Sequence, residues 1–164
     1  MKLKGRVALV IGGASGVGRA SAEACAEEGA SVMIADVQDA RGKEVISAIR
    51  ANGGVASFVH SDITDEESVH QSVQATVREF GKLDILVTSA GGAAREQDNP
   101  WEFAIDLYLR GPMYACRYAV DEMERTGGGV ILNIASIAGI TAGVSATVDE
   151  SGYPCAKHGV VGMT

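Results

Sequence analysis

Three side chains near the carboxyl end of the chain have the types and spacing of a proton-transfer site. Tyr153 and Lys157 lie four residues apart at the start of a predicted helix, which places both on one face. An ammonium beside a phenol favours the phenolate and lowers the phenol pKa from about 10, which suits Tyr153 to general acid or base work. Ser136 ends the preceding apolar run and offers a hydroxyl to the reacting oxygen. A solvated helix face is the alternative interpretation of the Tyr153 and Lys157 spacing.

A second group of residues, near the amino terminus, has the pattern of a dinucleotide-binding loop. The apolar run Val7–Ile11 leads into a glycine-rich loop that contains Gly12, Gly16 and Gly18 and then into helix-forming sequence. We expect Gly12 to permit the sharp turn, Gly16 to let backbone N–H groups approach a pyrophosphate, and Gly18 to let the helix pack closely. A glycine-rich turn without a ligand is the alternative, because 21 of the 164 residues are glycine. The candidate binding residues of this loop are Gly12, Ser15, Gly16, Val17 and Gly18.

An acidic residue at the end of the second apolar run indicates which dinucleotide the loop prefers. Asp36 follows Gly18 by 18 residues, close to the spacing of a ribose-binding acid. Its carboxylate can accept hydrogen bonds from the ribose hydroxyls and would repel a 2′-phosphate. Val37 stands where an NADP-binding protein would need a cation. The pattern therefore favours NAD as the cofactor.

The elements that position these residues alternate between apolar runs and helical segments that end at glycine. This alternation is typical of successive β-α-β units and predicts a parallel sheet. The fold class is therefore α/β, a Rossmann-type doubly wound sheet in three layers, with residues 1–164 forming a single domain. The predicted strands are Val7–Ile11, Ser31–Asp36, Val55–His60, Leu83–Ser89 and Val130–Ala135. Helices are predicted over Ser15–Glu28, Asp39–Ala51, from Thr64 to Gly81, from Asn99 onwards, and from Tyr153 onwards.

Apolar spacing, capping residues and prolines predict further features of the helices. The first helix should bury an apolar face of Ala20, Ala24 and Cys25, and the segment from Thr64 to Glu67 is a capping box at the start of the third. The fourth helix should begin with Asn99 as its N-cap and Pro100 in its first turn. Because proline lacks an N–H, Gly111-Pro112 should kink that helix.

Composition and charge exclude several classes of protein. A hydrophobic content of 46% with 21% charged residues is ordinary for a globular domain. The net charge of −7 provides no basic surface, so no nucleic-acid partner is expected. No apolar run approaches the ~18 residues of a membrane span and no cleavable signal precedes the first strand, which predicts a cytoplasmic protein without a membrane partner. The three cysteines and three histidines lack disulfide or metal-ligand spacing; we expect reduced, mostly buried thiols and no metal site.

Taken together, these motifs resemble the short-chain dehydrogenase/reductase family over nearly the whole chain. The resemblance is carried by the segments Gly12–Gly18, Asp36, Asp62-Ile63, Ser89-Ala90-Gly91, Asn133–Ser136 and Tyr153–Lys157. It implies that Tyr153 exchanges a proton with a carbonyl or alcohol oxygen and that Ser136 orients that oxygen. It also implies that Lys157 lowers the tyrosine pKa and holds the nicotinamide ribose, and that Tyr153 is a cofactor contact as well. Hydride would pass between the substrate carbon and the nicotinamide.

The resemblance also assigns further cofactor contacts. It implies that Asp62 binds the adenine amino group, that the main chain of Ile63 lies beside it, and that Ser89, Ala90 and Gly91 line the same cleft. For Asp62, a turn residue before Thr64 is an equal alternative, because a turn needs no ligand.

Three departures from the family pattern affect the site. Ile11 replaces the usual threonine, and Thr88-Ser89 replaces an asparagine pair, so weaker loop hydrogen bonds are expected. Tyr108 stands where the family has a helix asparagine that ties the helix to strand four and whose carbonyl holds a relay water. Our hypothesis is that Pro112 keeps the Tyr108 carbonyl free, so that the water survives the change of side chain.

The end of the chain and its assembly complete the expectations. Ser136 and Tyr153 are 17 residues apart, about four more than is usual in the family. The longer loop between them, which contains Asp149 and Glu150, should border the substrate, a small-molecule alcohol or ketone.

The chain stops at Thr164 within a helix, so we expect a truncated domain in which the fifth strand is an exposed edge. Members of the family are commonly tetramers or dimers built on the fourth and fifth helices, which implies a homo-oligomer. A catalytically silent NAD-binding protein and a methyltransferase are the alternative functions, although a methyltransferase gives no reason for the residues Ser136, Tyr153 and Lys157.

Overall fold

The computed structural model describes residues 1–92, 98–141 and 151–164. Its strands are β1 Val7–Ile11, β2 Ser31–Asp36, β3 Val55–His60, β4 Ile85–Thr88 and β5 Val130–Asn133. Its α-helices are α1 Gly16–Glu27, α2 Asp39–Ala51, α3 Glu66–Phe80, α4 Pro100–Ile105, α5 Gly111–Arg125 and α6 Gly152–Met163. A π-helical segment, Asp106–Arg110, joins α4 to α5, and a 3-10 turn, Ile137–Gly139, follows β5. The predicted substrate-bordering residues Asp149 and Glu150 lie outside the described residues.

The five strands form one parallel sheet in the order β3-β2-β1-β4-β5. Strand β1 lies at its centre, where Ile11 pairs with Ala35 of β2 and with Thr88 of β4. All five residues of β1 are buried, which explains why its sequence is continuously apolar rather than alternating. The predicted doubly wound α/β fold is confirmed.

Helices cover both faces of the sheet, each over its own core. Ala8 and Val10 of β1 point into one core with α1 and α2. Leu9 and Ile11 point into the other with α3 and α5. Alternate residues of one strand thus serve opposite faces, which gives the predicted three layers.

The buried face of α1 differs from the prediction. Gly18, Ala22 and Ala26 are buried, whereas Ala20 and Ala24 are exposed and Cys25 is half-buried. A helix rich in alanine offers little contrast in hydrophobicity between its faces. Here the close approach at Gly18, where a Cβ would overlap the Gly12 carbonyl oxygen, decides which face packs on the sheet.

The predicted capping box at the start of α3 is also wrong. Asp65, not Thr64, is the N-cap, and its side chain accepts a hydrogen bond of 3.0 Å from the Glu67 N–H. The Thr64 hydroxyl is directed elsewhere, because it donates to Asp62 Oδ1 at 2.8 Å. A turn centred on Asp62 therefore outcompetes the cap.

The fourth helical region begins as predicted and then changes character. The Asn99 side chain accepts from the Glu102 N–H at 3.2 Å, with Pro100 in the first turn. The irregularity expected near Pro112 takes the form of the π-helical segment, in which the Gly111 N–H bonds the Asp106 carbonyl five residues back. This wider turn accommodates a proline that cannot bond to, and would crowd, the Tyr108 carbonyl.

Asp84 forms hydrogen bonds with residues at the amino-terminal ends of β1 and β4. Its carboxylate accepts hydrogen bonds from the Arg6 guanidinium, the Lys82 ammonium and the Val7 N–H, at 2.8 Å, 3.1 Å and 2.8 Å. Burial acts to raise the pKa of Asp84, but these hydrogen bonds outweigh it and hold the pKa below its ordinary value.

The fifth strand is shorter than predicted and forms one edge of the sheet. It ends at Asn133, and its Val130 and Leu132 side chains are 64% and 51% exposed. The expectation of an exposed parallel edge is confirmed.

The composition also led to expectations about thiols, membrane-spanning helices and metal sites. The cysteines are free thiols, but Cys155 is exposed rather than buried. In the parts of the chain that the structure describes, no helix has both the length and the apolar character needed to cross a bilayer. Among those same residues, no group of three histidines, cysteines or acidic residues is arranged to hold a metal ion.

Candidate active site

A cleft of about 250 Å³ opens at the carboxyl ends of β1, β2 and β4. This is the edge at which parallel α/β sheets bind ligands. Eight of the residues predicted to contact the cofactor line it: Gly12, Ser15, Asp36, Asp62, Ile63, Ser89, Ala90 and Gly91. The predicted residues Gly16, Val17, Gly18, Ser136, Tyr153 and Lys157 are not among its walls.

The glycine loop forms the floor of this cleft. Gly12 has φ of +80°, and a Cβ there would lie 2.5 Å from the Ala90 nitrogen, so no larger residue fits. Gly16 also has a positive φ, +53°, but a Cβ there would meet open space. At the N-terminus of α1, the Ser15 side chain makes no capping bond to its own helix. Ser15, the N-cap of α1, lines the cleft, so the amino-terminal end of this helix borders it.

Asp36 is held rigidly at the end of β2. Its side chain is buried, with Oδ2 accepting from the Ala14 N–H at 3.0 Å and Oδ1 accepting from the Gln38 N–H at 2.9 Å. Each carboxylate oxygen has a further lone pair for another donor. The glycine loop and the acid are thus joined before any ligand binds.

Asp62 has the hydrogen bonds of a turn residue, one of the two interpretations that the sequence left open. Its Oδ1 accepts from both the Thr64 N–H, at 2.9 Å, and the Thr64 hydroxyl, at 2.8 Å, which is the bonding of a turn residue. The same residue lines the cleft. The turn orients the carboxylate, and adenine binding by it stays a prediction.

The predicted tyrosine and lysine are brought together in α6. The Lys157 ammonium lies 5.8 Å from the centre of the Tyr153 ring, and its Nζ donates to the Ile134 carbonyl at 2.7 Å. The side chain is only 7% exposed, and this burial lowers the pKa of Lys157 because it disfavours the charged form. The lysine is therefore fixed between α6 and the end of β5.

Ser136 occupies the turn that follows β5. Its Oγ accepts a hydrogen bond of 3.2 Å from the Ala138 N–H and so caps the 3-10 turn. That bond uses a lone pair of the hydroxyl, and its own O–H remains chemically able to donate.

Two sets of contacts could not be anticipated from the sequence. Tyr108 bonds the backbone of Gly92 and contacts both Tyr153 and Lys157. The Thr88 hydroxyl donates to Asn133 Oδ1 at 2.7 Å, and Asn133 Nδ2 donates to Cys116 Sγ at 3.5 Å. The only sequence signal for the first set was the departure at Tyr108 itself. The second set shows that Thr88, which replaces the family asparagine, forms a side-chain hydrogen bond between β4 and β5.

Comparison with known proteins places the chain in one family. The family model described as short chain dehydrogenase matches residues 6–164. An uncharacterized oxidoreductase of Thermotoga maritima is 36% identical over 169 residues, covering 100% of this chain and 65% of that protein. Cis-4-hydroxycyclohexanecarboxylate dehydrogenase of Sinomonas cyclohexanicum is 38% identical, covering 97% of this chain and 64% of the relative.

Solved structures give the same result. The crystal structure of gox2181 has a TM-score of 0.89 and 33% identity, covering 99% of this chain and 65% of that one. A 7α-hydroxysteroid dehydrogenase complexed with NADH and 7-oxo glycochenodeoxycholic acid has a TM-score of 0.89 and 28% identity, covering 99% and 64%. The chain spans about 65% of the length of these relatives. The fold, the glycine loop and the match over residues 6–164 together show that this chain belongs to the short chain dehydrogenase family.

Proposed function

We propose that the protein is an NAD(H)-dependent oxidoreductase that interconverts a secondary alcohol and a ketone by hydride transfer. The observation that carries the proposal is the buried Lys157, whose ammonium lies over the Tyr153 ring and is fixed to the Ile134 carbonyl. Burying a lysine is costly unless it has a function or a partner, and here it adjoins a group able to exchange a proton.

The residues of the cleft fit a nicotinamide dinucleotide. A Cβ at Gly12 would overlap the backbone after β4, and Ser15, the N-cap of α1, lines the cleft, which suits a pyrophosphate. The buried Asp36 carboxylate suits ribose hydroxyls and opposes a 2′-phosphate, which favours NAD over NADP. When bound, the nicotinamide supplies or accepts the hydride.

The residues of this chain divide the remaining work. Tyr153 would give a proton to the carbonyl oxygen during reduction and accept it from the alcohol during oxidation. The Ser136 hydroxyl would orient that oxygen by donating a hydrogen bond. The Lys157 ammonium would favour the phenolate of Tyr153 and bond the nicotinamide ribose.

The experiment is a turnover assay with the intact protein. NADH and NADPH absorbance would be followed against ketones and secondary alcohols, including hydroxycyclohexanecarboxylates because relatives are named for them. We expect turnover with NAD(H) that Tyr153→Phe abolishes. Turnover that survives this substitution would contradict the assignment of Tyr153.

A catalytically silent NAD-binding protein is the second candidate, because Tyr108 replaces the family asparagine beside Tyr153. It predicts tight NADH binding with no turnover on any substrate of the panel.

Under either function we propose a cytoplasmic homo-oligomer, a dimer or a tetramer. The exposed apolar Met113 and Val120 of α5 and Val161 of α6 support this assembly. Light scattering of the purified protein tests it, and a monomeric mass would contradict it.

A further inference from the structure

One side chain, Tyr108 in the π-helical segment, contacts both the cleft wall and the proton-transfer pair. Its hydroxyl donates to the Gly92 carbonyl at 2.6 Å and accepts from the Gly92 N–H at 3.1 Å. Gly91 and Gly92 line the cleft just beyond β4. Two hydrogen bonds from one hydroxyl to one residue fix where that glycine lies, so this part of the cleft wall depends on the phenol oxygen.

The aromatic ring of Tyr108 makes a separate set of contacts. It packs edge-to-face on Tyr153, with ring centres 4.8 Å apart and an angle of 87° between the planes. The Lys157 ammonium lies 5.1 Å from the Tyr108 ring centre, closer than its 5.8 Å to the Tyr153 ring centre. Both geometries are attractive, since the ring edge is positive and the ring face is negative.

We propose that Tyr108 is a positioning residue with two separable roles. Its hydroxyl holds the Gly92 wall for the cofactor, and its ring holds Tyr153 and Lys157 for proton transfer. The inference rests on the proposed function, because it requires that NAD bind in the cleft and that Tyr153 exchange the proton. An asparagine at this position could bond a backbone group but would offer no ring to either side chain.

Removing the hydroxyl alone should affect cofactor binding. Gly92 is exposed, so water can replace the lost bonds, and the cost is that of ordering the wall again when NADH binds. We expect Tyr108→Phe to weaken NADH binding about 2- to 12-fold, the range of one net hydrogen bond. Because the ring remains, kcat should stay within about twofold of the parent value.

Removing the ring as well should affect turnover. Tyr108→Leu loses the same hydroxyl, and it also removes the edge contact to Tyr153 and the aromatic face below Lys157. We expect NADH binding to weaken as in Tyr108→Phe, and kcat to fall about tenfold further, within the range of one lost cation–π contact.

The matched control is Tyr118→Phe, which also deletes one phenol hydroxyl from a helix. That hydroxyl donates to Glu66 at 2.9 Å, between α5 and α3, and Tyr118 does not line the cleft. NADH affinity is measured by fluorescence titration without substrate, and kcat and KM follow from steady-state kinetics. We expect Tyr118→Phe to match the parent protein in all three.

Two outcomes would overturn the inference, and a third would contradict the proposed function on which it rests. NADH binding by Tyr108→Phe that equals that of Tyr118→Phe would overturn the role of the hydroxyl. Equal kcat values for the Leu and Phe variants would overturn the role of the ring. A parent protein that binds no NADH would instead contradict the proposed function.

Hydrogen exchange tests the role of the hydroxyl even if the Leu variant fails to fold or NADH does not bind. The Gly92 amide should exchange faster in Tyr108→Phe than in Tyr118→Phe, without any cofactor, because its hydrogen-bond acceptor is gone. Equal exchange rates would show that the phenol does not hold this glycine.

Discussion

The turn at Gly12 allows the geometry of the cofactor loop to be tested quantitatively. Gly12 has φ of +80°, and an added Cβ would lie 2.5 Å from the Ala90 nitrogen and 2.6 Å from the Ser89 carbonyl carbon. These are backbone atoms, which cannot rotate away. The positive φ costs about 1–2 kcal/mol for a residue with a Cβ, and overpacking adds about 1–3 kcal/mol. We therefore expect Gly12→Ala to lower the free energy of unfolding by about 2–5 kcal/mol.

Two other glycines separate the causes of this loss. Gly53, in the turn between α2 and β3, has the same φ of +80° but nothing within 4 Å of its added Cβ. Gly53→Ala should cost only the backbone part, about 1–2 kcal/mol. Gly16, with φ of +53° and open space around its Cβ, should lose similar stability, but Gly16→Ala should also weaken NADH binding because its methyl group obstructs the loop backbone.

The assay combines urea unfolding followed by circular dichroism with NADH titration of each variant. The difference between Gly12→Ala and Gly53→Ala isolates the contact with Ala90. If the two variants lose equal stability, that contact does not constrain the loop and the reasoning is refuted. If Gly16→Ala binds NADH as tightly as the parent, the backbone at Gly16 does not face the cofactor.

Three further predictions concern the cofactor, acid stability and the π-helical segment. Replacing Asp36 by alanine and Val37 by arginine together should raise NADPH affinity at least about tenfold, because two like charges 4 Å apart repel by up to about 4 kcal/mol at an effective dielectric constant of 20. Parallel NADH and NADPH titrations measure the change. An unchanged cofactor preference would contradict the role of the carboxylate. The pKa of Asp84 lies below its ordinary value, since its hydrogen bonds outweigh burial; the stability it contributes is complete above its unfolded pKa of about 3.9 and is lost as pH falls through the lower folded pKa. Urea unfolding across acidic pH should show this loss in the parent and not in Asp84→Asn, and identical pH profiles would refute it. Pro112→Ala should alter the pH profile of turnover if a relay water depends on the Tyr108 carbonyl, and an active variant with an unchanged profile would count against that hypothesis.

The sheet could be predicted from the sequence because its central strands are buried on both faces. Continuous apolar runs set the bounds of β1 and β2, the bounds of the edge strand β3 were also predicted correctly, and glycine marked the ends of the helices between them. The bounds of β4 and β5 were less accurate, because the apolar runs Leu83–Ser89 and Val130–Ala135 extend beyond the strands Ile85–Thr88 and Val130–Asn133. The pairing of β5 with β4 ends at Asn133, where the side chain bonds Thr88.

The candidate site was predictable where it depends on local spacing and not where it depends on contacts between distant segments. Tyr153 and Lys157 are neighbours on one helix, so their spacing was sufficient to predict their proximity. The contact of Tyr108 with Gly92 joins residues that are 16 apart in the sequence, and no periodicity encodes it. Likewise the Thr64 hydroxyl could cap a helix or support the Asp62 turn, and only the folded geometry shows that it does the second.

The central claim is that Tyr153 performs proton transfer for hydride exchange with a cofactor bound in the cleft. The most direct measurement is NADH oxidation by the intact protein with a ketone, with NADH titration of the same preparations of parent and Tyr153→Phe. We predict that the variant binds NADH within about twofold of the parent, because its ring is retained, and that it loses turnover. Tight NADH binding without turnover in the parent, or turnover that persists in Tyr153→Phe, would contradict the claim.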